Sequence, residues 1–449
     1  MISVIRRSRS PSEQFKSPPI ELVVPNHFRC PISLDLMKDP VTVATGITFD
    51  RENIEKWLEQ GHHNTCPVTN QTITNPPDLI PNHVLRRMIQ DWCVENYRFG
   101  VERIPTPRIP VTENQVEEIL RTVTHSAQRL DGNGCRKMLD KIRRLAKESE
   151  RNKRCFVVNG TVIALSAAFH SFALSGNSLE ESCYRSILNE LLAVITSVSH
   201  HSQLDPEAVS FLGSKASFNC LVHLLMESTS SNSNSNSLSG TRNAALILKR
   251  LLAFDQRYVE RLGQIEGAVK TLFRLIKEPI CGTTTKACLA IVFFLISSSA
   301  RKERLRSRLV EMGMVSLLLE TLVDAEKSVG EKILGVLDEL LECEIGRKEA
   351  ATHPLAVPVM AKKIHRVSDL GNEFAMSLLF KLLSGAEGDG LVLEALQMGV
   401  FQKVLVTLQV GCGAVAKDKA TKLLKLLHRC ESRVECSNLT HFNKLKIPF

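Results

Sequence analysis

Two short stretches, Phe28-Arg29-Cys30-Pro31-Ile32 and Thr65-Cys66-Pro67-Val68-Thr69, each set a cysteine before a proline. Cysteines in paired loops can clamp zinc, because a tetrahedral site takes four nitrogen or sulfur donors, and two such sites need about eight ligands in close pairs. Between Leu22 and Arg98 the chain offers three cysteines (Cys30, Cys66, Cys93) and four histidines (His27, His62, His63, His83). No C-x-x-C pair occurs there, and the adjacent His62 and His63 cannot easily pinch one ion. No metal and no other cofactor is expected. Hydrogen bonds and apolar packing must then hold the loops, and the polar candidates are Ser33, Asp35, Asp39, Thr48, Asp50, Arg51 and Thr69. Such a network is worth having only if its members are satisfied. Cys30 and Cys66 read as small buried hydrophobes rather than reactive thiols.

The loops need elements to position them. Asp50 is a good N-cap for a helix starting at Arg51, with Ile54, Trp57 and Leu58 on one face. Asn82 can cap a second helix that buries Leu85, Met88, Ile89 and Trp92. Two Cys-Pro loops beside a central helix make a shallow groove.

Residues 20–98 resemble a U-box, the zinc-free relative of the RING finger. The resemblance lies in FRCPISLDLMKDPVTVATGITFDRENIEKWL (Phe28 to Leu58), CPVTNQTI (Cys66 to Ile73) and LIPNHVLRRMIQDW (Leu79 to Trp92). It implies a groove that docks a ubiquitin-conjugating enzyme carrying ubiquitin. Ile32, Leu34, Pro67 and Val68 would supply apolar contacts, and Trp57 would line or support the groove. Many strong ligases carry an arginine just after the second loop, where it orients ubiquitin. Asn70 stands at that position here, and it brings neither charge nor a bidentate fork. No residue would form a covalent intermediate, because orientation and proximity supply the rate. None of the thirteen cysteines lies in a recognisable catalytic context. The resemblance also admits a homo-oligomer formed through the U-box.

The remainder of the chain reads differently. At 449 residues it should hold more than one domain. Residues 1–19 read as a flexible basic arm and 99–111 as a linker, stiffened by Pro105, Pro107 and Pro110. From about Val111 the pattern is helical. Ile333, Leu334, Leu337, Leu340 and Leu341 form an apolar stripe. Glycines Gly160, Gly267, Gly313 and Gly399 each end one helix in a left-handed turn before an apolar pair starts the next. The steps from Gly267 to Gly313 and from Gly313 to Gly399 suit one and two periods of about 40–47 residues, the armadillo range, so residues 112–449 would hold about seven or eight units. The run Ser228 to Gly240 is expected to be a disordered loop. The fold class is therefore an α+β U-box followed by an all-α armadillo-repeat solenoid. This second part resembles plant U-box ubiquitin ligases, particularly the defence-associated CMPG group, which implies substrate recruitment by the solenoid and a role in plant defence or stress.

Charge and composition narrow the classes. The net charge of +9 is uneven: 22–98 hold seven Lys/Arg against nine Asp/Glu, while 99–449 carry +9. The tract Lys141 to Arg144 reads as a solvated helix face, and interleaved aromatics on basic faces are lacking, so nucleic acid is an unlikely partner. Scattered cysteines and no apolar leader or 18-residue apolar run point to a reducing compartment and no membrane span. The cytoplasm is expected, with the nucleus open as well. The alternative function is a non-enzymatic armadillo adaptor with a degenerate first domain.

Overall fold

The computed structural model describes residues 23–60, 65–73, 79–104, 110–175, 181–199, 204–227, 235–385 and 390–434. The chain divides into two compact units, Met1–Ile109 and Pro110–Phe449. The arm at 1–19, His62, His63 and residues 105–109 lie outside the described residues.

The first unit is α+β. A 3-10 turn at Asn26–Phe28 leads to strands β1 (Pro40–Thr42) and β2 (Thr48–Asp50), helix α1 (Arg51–Gln60), strand β3 (Ile80–Pro81) and helix α2 (His83–Glu95). The sheet has the order β2-β1-β3 and is antiparallel, with Val41 opposite both Phe49 and Pro81. Gly46 closes the β1–β2 turn at φ 80°, a left-handed conformation that suits glycine. Asn82 caps α2 as expected, its Oδ1 accepting from the Leu85 amide at 3.0 Å. Asp50 does something else: its Oδ1 accepts from the amides of Lys38 and Asp39, both at 2.8 Å, and so ties the chain before β1 to the end of β2.

Phe28, Met37, Val41, Phe49, Ile54, Ile73, Ile89 and Cys93 form the core of this unit. Burying each large apolar side chain contributes about 1.5–3 kcal/mol. Two expectations need correction. Met88 is not on the buried face of α2 but is 46% exposed, beside Val84 at 73%. The buried stripe runs through Leu85, Ile89 and Cys93, and Met88 falls on the neighbouring stripe one turn from Val84. Residues 99–104 do not act as a free linker, because Val101 and Ile104 are buried in this core.

The second unit is all-α. An opening pair, α3 (Glu113–Gln128) and α4 (Gly132–Glu148), precedes six three-helix repeats among the described residues. They are α5–α7 (Glu150–Val158, Thr161–Ser175, Glu181–Val198), α8–α10 (Pro206–Leu212, Lys215–Met226, Ser235–Phe254) and α11–α13 (Gln256–Gln264, Ala268–Lys277, Gly282–Ser298). Next come α14–α16 (Lys302–Glu311, Met314–Asp324, Lys327–Leu340), α17–α19 (Glu344–Thr352, Ala356–Lys363, Asp369–Ser384) and α20–α22 (Gly390–Gln397, Val400–Val410, Ala414–Val434). The first and second helices meet at a bend of 66° in α5–α6, 72° in α8–α9 and 60° in α20–α21. The third helices stack on one another, α4 on α7, then α10, α13, α16, α19 and α22.

Gly160, Gly267, Gly313 and Gly399 all have positive φ, between 70° and 87°, at the bend between first and second helices. This is the left-handed turn their positions called for. At the two remaining bends, Ser214 caps α9 through the Ser217 amide and His353-Pro354 ends α17. Ile333, Leu334, Leu337, Leu340 and Leu341 are fully buried. Lys141, Arg143 and Arg144 are exposed. A capping box of Thr112 and Gln115 starts the unit, and the buried Asn152 holds the Val111 amide and the Leu145 carbonyl, both at 3.0 Å. Six residues of the low-complexity run are helical, against the expectation of a loop. Residues 228–234 lie outside the described residues, but α10 already begins at Ser235, because a serine-rich stretch can join a helix that the following apolar face anchors. Among the described residues, no single helix is long and apolar enough to cross a membrane.

Candidate functional site

The two Cys-Pro loops have the same backbone geometry. In the first, the Cys30 amide donates to the Asp35 carbonyl and the Leu34 amide to the Cys30 carbonyl, both at 2.8 Å. In the second, the Cys66 amide donates to Gln71 at 2.8 Å and the Asn70 amide to Cys66 at 2.9 Å. Each loop is flanked by an antiparallel bridge, Arg29 with Leu36 and Thr65 with Thr72. Each also turns through a left-handed residue at its fourth position after the cysteine: Leu34 at φ 62° and Asn70 at φ 55°. Ile32 thus corresponds to Val68, and Leu34 to Asn70.

Both cysteine side chains are fully buried and serve as hydrogen-bond acceptors. The Asp50 amide donates to Cys30 Sγ at 3.3 Å, and Thr45 Oγ1 donates to Cys66 Sγ at 3.5 Å. Burial alone would raise the Cys66 thiol, but the Thr45 and Thr69 hydroxyls and the amides of Thr69 and Val68 outweigh it and bring it to about 7. Among the described residues, no group of three or more His, Cys, Asp or Glu is placed to hold a metal ion.

Helix α1 anchors both loops. Asn53 Nδ2 donates to Ser33 Oγ at 3.0 Å, and Trp57 Nε1 donates to the Thr65 carbonyl at 3.0 Å. Asn53 and Trp57 are four residues apart, so they lie on one face of the helix. Trp57 is half-buried against the core. Leu34 is 54% and Val68 53% exposed, while Ile32 and Pro67 are half-buried. The loops therefore offer apolar side chains to solvent from a backbone fixed on one helix.

The polar support differs in part from the expected set. Asp39 is its hub: Oδ2 accepts from Arg51 Nε at 2.8 Å, and Oδ1 pairs with Arg86 Nη2. Thr42 and Thr48 share a hydrogen bond of 2.9 Å across β1 and β2. Burial pushes the Asp50 carboxyl up, against the Asp39 and Lys38 amides that pull it down. Asp35 does not join through its side chain. It is exposed and contributes its carbonyl to Cys30 and its amide to Ser33 Oγ at 3.4 Å. Thr69 is exposed, and its hydroxyl accepts from the Gln71 amide at 3.5 Å. Arg86, Asn53 and Thr42 are members that the sequence reading missed. The α1 helical spacing signalled Asn53, one turn from Trp57. No local signal marked Arg86, whose partner lies 47 positions away.

Both units have counterparts among known proteins. A family model described as the U-box domain matches residues 24–98, and one described as the plant U-box protein ARM repeat region matches 115–447. U-box domain-containing protein 21 of Arabidopsis thaliana is 39% identical over 435 residues, covering 96% of this chain and 94% of that protein. E3 ubiquitin-protein ligase PUB22 of the same plant is 34% identical over 445 residues, covering 93% and 97%. Among solved structures, a designed armadillo repeat protein is similar at 16% identity and a TM-score of 0.42, covering 58% of this chain and 99% of that one.

Proposed function

This chain belongs to the plant U-box proteins with an armadillo-repeat region, and from that family and the loop geometry we propose that it is an E3 ubiquitin transferase. In this reading the first unit docks a ubiquitin-charged conjugating enzyme on Ile32, Leu34, Pro67 and Val68, with Trp57 beneath them. The solenoid selects the protein substrate. The observation that carries the reading is the pair of matched loops, pinned to α1 at Asn53 and Trp57, with Leu34 and Val68 facing solvent.

The chemistry is positioning. The ubiquitin thioester stays on the conjugating enzyme, and the substrate amine attacks it there, so the chain needs no nucleophile of its own. Holding both partners together converts a bimolecular step into an effectively unimolecular one. Asn70 occupies the ubiquitin-orienting position and can donate a neutral hydrogen bond there.

The test is autoubiquitination of the purified full chain with activating enzyme, a conjugating enzyme and ubiquitin. Activity that Ile32→Ala removes while circular dichroism stays native supports a ligase. No activity with any member of a conjugating-enzyme panel favours the adaptor reading.

The wider setting forms part of the same proposal. Action in plant defence or stress rests on the resemblance to the CMPG group, and a knockout with an unchanged elicitor response would contradict it. Action in the cytoplasm, with access to the nucleus, is supported by the ten cysteines whose side chains are described, each of them free, and imaging of the tagged chain tests it. Self-association through the first unit is supported by Val84 and Met88, one turn apart and exposed on α2. Sedimentation of Val84→Lys against the native chain checks it.

A further inference from the structure

The layer of third helices carries an unusual composition between α10 and α19. Gly335 sits in the middle of α16, where glycine is unfavourable. A Cβ placed there would lie 3.3 Å from Cε2 of Phe374 on α19 and 3.7 Å from Cδ2 of Phe293 on α13. Gly335 is buried, and the two half-buried rings close over it side by side. Lys332 lies one turn before Gly335, and Lys286 two turns before Phe293, each on the same face as its partner.

Lys249 on α10 belongs to the same surface. Burial first, and then the charges of Lys332 and Arg250, push its ammonium below the usual lysine range. For Lys332 on α16 to act on Lys249 on α10, both must project from one side of the layer, across α13. Among the described residues, Lys249 and Lys286 have no hydrogen-bond or ion-pair partner. Helices α10 and α13 contain no acidic residue. The carboxylates of α16 are already committed: Glu331 to Lys332 at 2.8 Å and Ser368 at 2.7 Å, Asp338 to Lys381 at 2.7 Å, and Glu339 to Arg306. On α19, Glu373 is held by Lys419 at 3.1 Å.

We propose that this face docks an acidic segment of a partner protein that also carries an aromatic or large apolar side chain. Carboxylates of the segment pair with Lys249 and Lys286, and the apolar side chain packs against the exposed parts of Phe293 and Phe374. The inference rests on the solenoid's role in substrate selection and names the chemistry selected. A single-stranded nucleic acid also carries negative charge and stacking rings. It fits less well, because the rings here are half-buried rather than raised as stacking platforms, and two uncommitted lysines are too few to track a phosphate backbone.

The test uses the full chain and a fluorescent peptide alternating glutamate with phenylalanine, followed by anisotropy. The native chain should bind it at least about tenfold more tightly than the counterpart with lysine for glutamate, with affinity falling as salt rises. Lys249→Glu should weaken binding by about tenfold or more, and Lys270→Glu, exposed on α12, should leave it unchanged. An unchanged thermal midpoint establishes that Lys249→Glu is folded. Equal affinity for both peptides, native binding by Lys249→Glu, or displacement of the peptide by oligo-deoxythymidine would overturn the proposal. A photoactivatable version of the peptide separates the two levels of failure. Crosslinks elsewhere on the solenoid sink only this face, whereas crosslinks confined to residues 24–104 count against substrate selection by the solenoid as well.

Discussion

At the scale of the residue, the most informative position is Leu34. A leucine at φ 62° is strained, while the matching Asn70 at φ 55° is a residue type that tolerates this region. Strain of about 1–3 kcal/mol at one residue persists where the surroundings enforce it, often at functional sites. Leu34→Asn should therefore stabilise the first unit by roughly 1 kcal/mol in urea unfolding while weakening the conjugating enzyme. Weakening without stabilisation would remove the case for strain; stabilisation with native binding would remove Leu34 from the interface. Trp57→Ala should abolish binding chiefly by destabilising the unit, at a cost of about 3–5 kcal/mol. Motif order made Cys30 and Cys66 legible in the sequence as small buried side chains, and both are fully buried. The left-handed turn at Leu34 was not legible, because no propensity favours leucine there and only the Cys30 carbonyl bond reveals it. Thiol chemistry gives a second prediction at this scale. Burial alone would raise Cys281, but the hydroxyls of Thr283 and Thr284 and their amides outweigh it and bring it to about 7, while burial raises Cys135 and Cys288 to about 12. The thiolate is the reactive form, so half-buried Cys281 should alkylate increasingly as pH passes 7, well before those two. Peptide mapping after brief iodoacetamide treatment over a pH series measures this, and equal labelling of Cys281 and Cys288 at pH 8 would contradict it.

At the scale of the element, hydrogen bonds join loops, hairpin and helices where a zinc finger would use metal. Cys30 and Cys66 are occupied as acceptors within that lattice. Extensive chelation should leave both ligase activity and the thermal midpoint unchanged. Stoichiometric zinc in the purified protein, lost together with activity, would defeat this. Arg86→Ala removes one of two guanidinium partners of Asp39 and should cost about 1–3 kcal/mol, read from urea unfolding. The sequence named Asp39 and Arg51 as candidates but could not pair them, since pairing depends on how α2 returns to the sheet. In the solenoid, glycine signalled four of the six bends because the left-handed turn needs it; Ser214 and Pro354 make the others by means that occur widely in loops. Helix α10 swallowed six residues of the serine-rich run for a related reason: composition reports low propensity, not the packing that overrides it.

At the scale of the whole molecule, the hydrophobic period changes near Val111, and the chain divides into compact units between Ile109 and Pro110. What the period could not show is that Val101 and Ile104 belong to the first core. Their spacing is too short to form a stripe, and the prolines that follow dominate the local pattern. A fragment ending at Ile109 should thus be more stable than one ending at Gly100 by about 3–6 kcal/mol, the burial of two aliphatic side chains. The complementary fragment from Pro110 should bind substrates, modify none and compete with the full chain for them. The central claim, that the paired loops present a charged conjugating enzyme for transfer, is tested most directly by single-turnover discharge of its ubiquitin thioester onto free lysine. The full chain and the fragment ending at Ile109 should both accelerate discharge, and Ile32→Ala and Val68→Glu, folded by circular dichroism, should not. Discharge at the uncatalysed rate with the full chain and each member of a conjugating-enzyme panel, or native acceleration by both loop variants, would contradict it.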